Sequence, residues 1–255
     1  MPASAPEHFN AIAGQYAASE VHAHSHSISR LHELLGPGPL VICDVACGPG
    51  NLALSFAGKA SRIVGVDAAP NMLRQFERLA RERGVKAQTL QAYAESIPLP
   101  SDSFDAVVSR LAPHHFPDAA KAVREMARLA KPGGAVAVID LEGNDNPALD
   151  DLNHELEVLH DRTHVRSYTA ARWREFFESN GLAIETLESG QTELPDGLTI
   201  QRWCEIGSTP PEAQVQIRSI LAAASKERLA GLGIRFENGE FRIPVRTLIV
   251  LGRKT

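Results

Sequence analysis

The chain is expected to fold as an α/β protein, a mostly parallel sheet wound with helices on both faces. Three features carry this expectation: strand-like and helix-like segments alternate over the first two thirds, a glycine turn follows the first strand, and an Asn-Gly pair near the end marks a hairpin. Short apolar runs at residues 40–45, 62–66, 86–91, 104–109 and 135–141 read as buried parallel strands. Between them, residues 70–83 open on Pro70 and stop at Gly84. Residues 118–130 open on Asp118 as a cap and end before Lys131-Pro132-Gly133-Gly134. Beyond residue 145 the pattern changes. Residues 169–180 hold Trp173, Phe176 and Phe177 at helical spacing and stop at Gly181, after which 182–187 can return to the sheet. A helix-rich stretch at 198–229 follows. The chain closes on a hairpin, 234–237 and 240–251 around Asn238-Gly239, which is expected to give the sheet an antiparallel edge.

With 255 residues, 44% hydrophobic and 22% charged, the chain is long enough for one large domain or a standard domain with an added subdomain. The expected division is an N-terminal helical lid at 1–36, a ligand-binding core at 37–190, a helical cap at 191–233 and the hairpin at 234–255. The longest stretch free of Asp, Glu, Lys and Arg, 45–58, contains three glycines and a proline, so no membrane span is expected. Residues 1–10 carry no basic start and no apolar block, which points to the cytoplasm. Cys43, Cys47 and Cys204 have neither disulfide-framework nor zinc-site spacing and read as reduced thiols. The net charge of −5, without any run of Lys or Arg beyond two, speaks against a nucleic-acid partner. The ten histidines cluster unusually, at 22, 24 and 26, at 114 and 115, and at 154, 160 and 164.

Residues 41–51 are a strand running into a glycine turn and then a helix. In an open α/β sheet ligands lie at the carboxyl ends of the strands, where glycine lets the backbone approach closely. Nineteen residues after Gly48, at the end of the second strand, Asp67 is placed to accept from both hydroxyls of an adenosine ribose. The same geometry serves dinucleotides and S-adenosyl-methionine. Ala53 stands where a pyrophosphate fingerprint counted from Gly48 needs its third glycine. Asp44, ending the first strand, would repel a pyrophosphate but suits the cationic amino group of a methionine moiety.

At these residues the chain resembles class I S-adenosyl-methionine-dependent methyltransferases, and within them the quinone-biosynthesis-like, type 11 branch. The motifs are Asp44-Val-Ala-Cys-Gly-Pro-Gly50, Val64-Gly-Val-Asp67 with Asn71-Met72-Leu73, Ala94-Glu95-Ser-Ile-Pro-Leu-Pro100 with Ser103-Phe104-Asp105, and Leu129-Ala-Lys-Pro-Gly-Gly134. The resemblance spans residues 8–190 and implies a Rossmann-like, seven-stranded sheet with a reversed last strand. It puts Ala46, Cys47, Gly48 and Gly50 against the methionine and ribose, Asp44 near the amino group and Asp67 on the ribose. Met72 would pack on the adenine face, the Ala94 backbone would meet its edge, Tyr16 would be a lid tyrosine, and Ala68, Glu95 and Arg110 complete the cofactor side. Two residues depart from the pattern. Ala46 replaces the usual first glycine, an exchange expected to be tolerable at negative φ, and Tyr93 replaces an Asp that would accept from the adenine amino group.

Methyl transfer needs alignment and a dry pocket, and a base only where the acceptor must lose a proton. His114-His115-Phe116 follows the fourth strand, at the sheet's carboxyl edge; it either faces the acceptor, with His115 the preferred base, or caps the next helix. If residues 160–166 are helical, Asp161 lies at i,i+3 from His164 and can orient it as a base, the alternatives being a metal site or a solvated surface. The acceptor side is assigned His114, His160, Arg166 and Trp203, the catalytic side His115, His164 and Asp161, with no resident metal. The expected activity is methylation of a small aromatic, quinonoid or heterocyclic metabolite at oxygen, carbon or nitrogen, by a monomer or homodimer. A nucleotide-dependent oxidoreductase and a non-catalytic cofactor-binding module are the competing readings.

Overall fold

Strands β1 (Leu40–Val45), β2 (Ala60–Asp67), β3 (Ala87–Gln91), β4 (Phe104–Arg110), β5 (Ala130–Leu141), β6 (Leu182–Thr192) and β10 (Arg246–Lys254) form a seven-stranded sheet in the order β3-β2-β1-β4-β5-β10-β6. The structure is a computed structural model that describes residues 4–17, 26–38 and 40–255, without the side chains of Gln15 and Tyr16. β10 runs antiparallel to both of its neighbours, whereas the other paired strands are parallel. The chain steps outward from β1 to β2 and β3, then returns to the other side of β1 as β4. That reversal opens a crevice at the carboxyl ends of β1 and β4.

Consecutive strand residues point to opposite faces, and both faces are covered. On one face Ile42, Ile63, Ala106, Ile139 and Ile249 pack with Leu31 of α2 (His26–Leu35) and with Leu73 and Phe76 of α3 (Pro70–Glu82). On the other, Cys43, Val64, Val107, Val138 and Val250 pack with Val123 and Met126 of α4 (Ala119–Leu129) and with Trp173 and Phe177 of α6 (Ala170–Glu178). The expected cap forms, the Asp118 carboxylate accepting from the Lys121 N–H at 2.9 Å, and α6 is capped as well, the Thr169 hydroxyl accepting from the Arg172 N–H at 3.3 Å.

Two segments differ from the sequence expectation. The stretch at 145–160 is a full helix, α5 (Pro147–His160), capped by Asn146 and started by Pro147; it ends at His160, and Asp161 is already extended. His164 is therefore off the helix. The terminal hairpin also does not complete the main sheet. β8 (Arg235–Glu237) and β9 (Glu240–Ile243) join β7 (Leu198–Thr199) in a separate sheet ordered β7-β9-β8, and only β10 enters the large one. Pro244 lacks the N–H that a continuous strand needs, so the long run expected from residue 240 breaks there and changes sheet. The small sheet, with α7 (Ile200–Ile206), α8 (Pro211–Ala223) and α9 (Lys226–Gly231), has its own core of Ile200, Trp203, Ile217 and Leu221, closed against Leu152 and Leu156 of α5. The cap is thus seated on the helix that leaves β5. Among the described residues no helix is long and apolar enough to cross a membrane.

Candidate active site

A cavity of about 480 Å³ occupies the crevice beyond β1 and β4. Asp44 closes its floor, 1% exposed, with Oδ2 accepting from the Ala53 N–H at 3.1 Å. Burial, reinforced by the neighbouring Asp67 charge and only partly offset by that hydrogen bond, pushes the Asp44 carboxyl up to about 8. Asp67, at the end of β2, accepts from the Gly48 and Ala69 N–H groups, both at 2.8 Å. Its burial still raises it above the ordinary carboxylate range, against those hydrogen bonds. Both acids are desolvated without a cation hydrogen-bonded to either among the described residues. That donor set, at the wall of a cavity large enough for an adenosine, fits a cationic nucleoside and disfavours a pyrophosphate.

Of the residues assigned to the cofactor, Asp44, Ala46, Cys47, Gly48, Asp67, Ala68, Met72, Ala94, Glu95 and Arg110 all line this cavity. Met72 is buried with Ala13 of α1 (Ala5–Ala17) and Ala69, and Phe9 of α1 packs on them, so the N-terminal helix forms one wall. Glu95 accepts from the Asp118 N–H at 3.3 Å, and Tyr93 is 61% exposed at the rim. Gly50 is the exception: it does not line the cavity. At φ 90° it sits against the Phe76 ring, which any Cβ there would strike, so it serves the packing of α3 on the turn. Ala46 adopts φ 56°, contrary to the negative angle expected for a residue replacing glycine. The Tyr16 side chain and residues His22 and His24 lie outside the described residues; His26 is exposed at the start of α2. Burial raises the Cys47 thiol well above its usual range, which makes it an inert wall.

A second, smaller cavity of about 140 Å³ lies under the cap and adjoins the first, Phe9, Arg110, Leu111, His115 and His164 lining both. Leu111 holds a left-handed φ of 50° at the junction, its N–H bonded to the Ile139 carbonyl at 2.8 Å. The turn carrying His114 and His115 is locked to the 161–166 loop, because the His114 carbonyl accepts from the Val165 and Arg166 N–H groups at 2.8 and 3.1 Å.

Four histidines of this region differ sharply. His114 Nδ1 lies 2.6 Å from Asp140 Oδ1, at the end of β5. Burial alone would lower its pKa, but the Asp140 charge and hydrogen bond prevail and hold it above the ordinary histidine value. Nδ1 is then the donor, and Nε2 carries the lone pair. His115 is driven down to about 3 by burial and by the neighbouring His114. Its Nδ1 faces the Thr163 carbonyl at 3.2 Å and hydroxyl at 3.1 Å. Since that hydroxyl donates to Asp161 at 2.7 Å, His115 Nδ1 is the donor here too. His164 is lowered strongly by burial and by surrounding histidines, leaving Nε2 buried without a hydrogen bond. His160, lowered by burial to about 4, stacks on Trp203 at a centroid distance of 4.0 Å.

The geometry therefore rearranges the expected catalytic group. Asp161 does not orient His164: the helix has ended, and Asp161 Oδ2 lies 3.9 Å from His115 Nε2 instead. The carboxylate–imidazole pair belongs to His114, expected on the acceptor side, and to Asp140, which is not among the residues expected from sequence. Arg166 does not reach either cavity, because its guanidinium is taken by Asp150 of α5. His114, His160, Asp161 and Trp203 line the small chamber together with Glu157, another residue not anticipated. Asp140 carries the same local signal as Asp44 and Asp67, an acid at a strand's carboxyl end. Glu157 carried no such signal. Among the described residues no group of three or more His, Cys, Asp or Glu is arranged to hold a metal ion.

Sheet order, the acid-lined crevice and an adjoining covered chamber define the class of Rossmann-like S-adenosyl-methionine-dependent methyltransferases. The profile described as a methyltransferase domain matches residues 43–138. YcgJ of Bacillus subtilis, named as an uncharacterized methyltransferase, is 36% identical over 187 residues, 73% of this chain and 72% of its own. Its crystal structure superposes with a TM-score of 0.82 at 31% identity, covering 90% of this chain and 98% of that one. The chain belongs to this methyltransferase family. A putative methyltransferase from Bacillus halodurans shares the fold with a TM-score of 0.83 at 24% identity, over 89% of this chain and 98% of that one. The demethylmenaquinone methyltransferase of Thermus thermophilus is 38% identical over 108 residues, 42% of this chain and 49% of its own.

A left-handed alanine costs ~1–2 kcal/mol, of which the added freedom of an unfolded glycine returns ~0.4–1. Ala46→Gly is accordingly expected to raise the unfolding free energy by up to ~1 kcal/mol in a urea titration. A clear loss of stability would mean that the Ala46 methyl matters more than its backbone.

Proposed function

We propose that the protein transfers a methyl group from S-adenosyl-methionine to an oxygen or nitrogen of a small ring-bearing acceptor held beneath the cap. When bound, S-adenosyl-methionine supplies a methyl carbon on a positively charged sulfur, which keeps the electron pair of the broken bond and leaves as a neutral thioether. The residues of the chain do the rest. Asp44 and Asp67 would hold the amino group and the ribose hydroxyls, with Met72 and Ala94 at the adenine. His115, kept neutral by its surroundings, stands at the junction of the two cavities without adding a repulsive positive charge. Phe9, edge-on to His115 at 4.9 Å, helps exclude water there.

The observation that carries this reading is the pairing of His114, which lines the chamber, with the buried Asp140 behind it. As the acceptor O–H or N–H is replaced by a bond to carbon, its proton passes to His114 Nε2. Asp140 fixes the tautomer that leaves Nε2 free and stabilises the imidazolium that forms. Aromatic acceptors are supported by the Trp203–His160 stack in the wall and, at lower coverage, by the similarity to a demethylmenaquinone methyltransferase.

Two outcomes test it. Asp67→Asn should weaken S-adenosyl-homocysteine binding by ~1.5–3 kcal/mol, roughly ten- to a hundredfold by calorimetry, through loss of a charged acceptor; unchanged affinity would take Asp67 out of the site. For the base, turnover needs the unprotonated ring, so it should rise with pH through a His114 value above the usual ~6.5 and then level off. Asp140→Asn removes the charge that raises His114, so the inflection should move to lower pH and the plateau fall by ~10²- to 10⁴-fold with cofactor affinity kept. A mutant profile superimposable on the parent's would rule out the pair.

A further inference from the structure

We infer that the acceptor is a compact amine, about one six-membered ring in size, whose ammonium or amino group is received by Glu157. The inference rests on the methyltransferase reading, and deepens it by naming what the chamber selects.

Size sets the first limit on the acceptor. The chamber measures about 140 Å³, close to the ~150 Å³ of a protein cavity that accommodates benzene. One ring fills it, whereas a fused pair of rings would have to extend toward the adjoining cavity. Its apolar surface, from Leu156, Ile234, Ile243 and Val245 with the Trp203 indole, suits the body of such a ring.

Charge is the second. Among the described residues four acids line the chamber: Glu142, Glu157, Asp161 and Glu193. The arginines among these lining residues are committed, since Arg246 Nε donates to Glu142 at 2.9 Å and Arg110 lies 3.5 Å from Glu193, and no lysine is among the described residues that line it. Glu142 is further satisfied by the Gly190 N–H at 2.7 Å and by the Ser189 hydroxyl. Asp161 is occupied by the Thr163 N–H and hydroxyl at 2.8 and 2.7 Å. Glu157 alone of the four receives no hydrogen bond or ion pair from a described residue, although its carboxyl is desolvated and pushed up to about 7. Glu157 is half-buried and faces the chamber; a desolvated carboxyl without a partner is costly, and a cationic or N–H-bearing ligand removes that cost, whereas an anionic acceptor would be repelled. A separate feature points the same way. His164 is 7% exposed, lines the chamber and has an Nε2 with no hydrogen-bond partner, a second polar atom that a bound molecule can satisfy.

The test is calorimetric titration of the protein saturated with S-adenosyl-homocysteine, using benzylamine, benzyl alcohol, benzoate and 1-naphthylmethylamine as probes. Benzylamine should bind at least about tenfold more tightly than the other three, and Glu157→Gln should abolish its advantage over benzyl alcohol while leaving S-adenosyl-homocysteine affinity unchanged. The unchanged cofactor affinity also shows that the variant is folded. Absence of benzylamine binding at millimolar concentration, equal or tighter binding of benzoate or the naphthyl amine, or undiminished benzylamine preference in Glu157→Gln would overturn the inference. If S-adenosyl-homocysteine itself fails to bind the parent protein, the methyltransferase reading fails. The four probes titrated into the unloaded protein then decide the amine preference by the same comparison.

Discussion

Two carboxylates end neighbouring strands of a sheet that is covered on both faces, and the desolvation of that pair is the constraint on which the site depends. Asp44 and Asp67 cannot move to water without unpairing β1 and β2, whose register runs unbroken from Val41–Arg62 to Val45–Val66. The backbone N–H groups of Gly48, Ala53 and Ala69 satisfy some of their lone pairs and offset only part of the desolvation, so both carboxyls stay above their ordinary range. A cavity built this way has an intrinsic preference for a cation with hydroxyls. The fold holds that preference in place through the α3 packing at Phe76 and the glycine turn beneath it.

The adjoining chamber applies the same physics with the opposite emphasis. Burial drives His115, His160 and His164 to the neutral state, so they act as walls and hydrogen-bonding groups. His114 escapes because one carboxylate, Asp140, lies 2.6 Å from its Nδ1. Neighbouring residues in sequence thus acquire opposite proton affinities from the partner that each ring nitrogen finds. The left-handed Leu111 just before them is the backbone device that turns the chain from β4 into this corner.

The fold was legible in the sequence wherever local chemistry dominates. Capping at Asp118, the Pro70 start and the alternating buried strands all read directly, as did the cluster Asp44, Gly48 and Asp67, because strand ends and glycine turns are local signals. What escaped depends on contacts distant in sequence. Asp140 meets His114 across 26 positions, and Glu157 enters the chamber only because α5 packs against the cap. Arg166 looked like an acceptor ligand until Asp150 claimed it, and Pro244 redirected a strand whose apolar pattern gave no hint of a break. Ala46 shows the reverse case, a backbone angle that side-chain identity argued against.

The central claim, that Asp44 waits in the crevice for a cation, is tested most directly by the pH dependence of S-adenosyl-methionine affinity. With its carboxyl pushed up to about 8 in the free protein, binding of the amino group requires Asp44 to release a proton. Affinity measured from pH 6 to 8 should therefore rise by as much as about tenfold per pH unit in the parent and stay flat in Asp44→Asn. A parent affinity that does not change over that range, or a variant that keeps the same slope, would contradict the account.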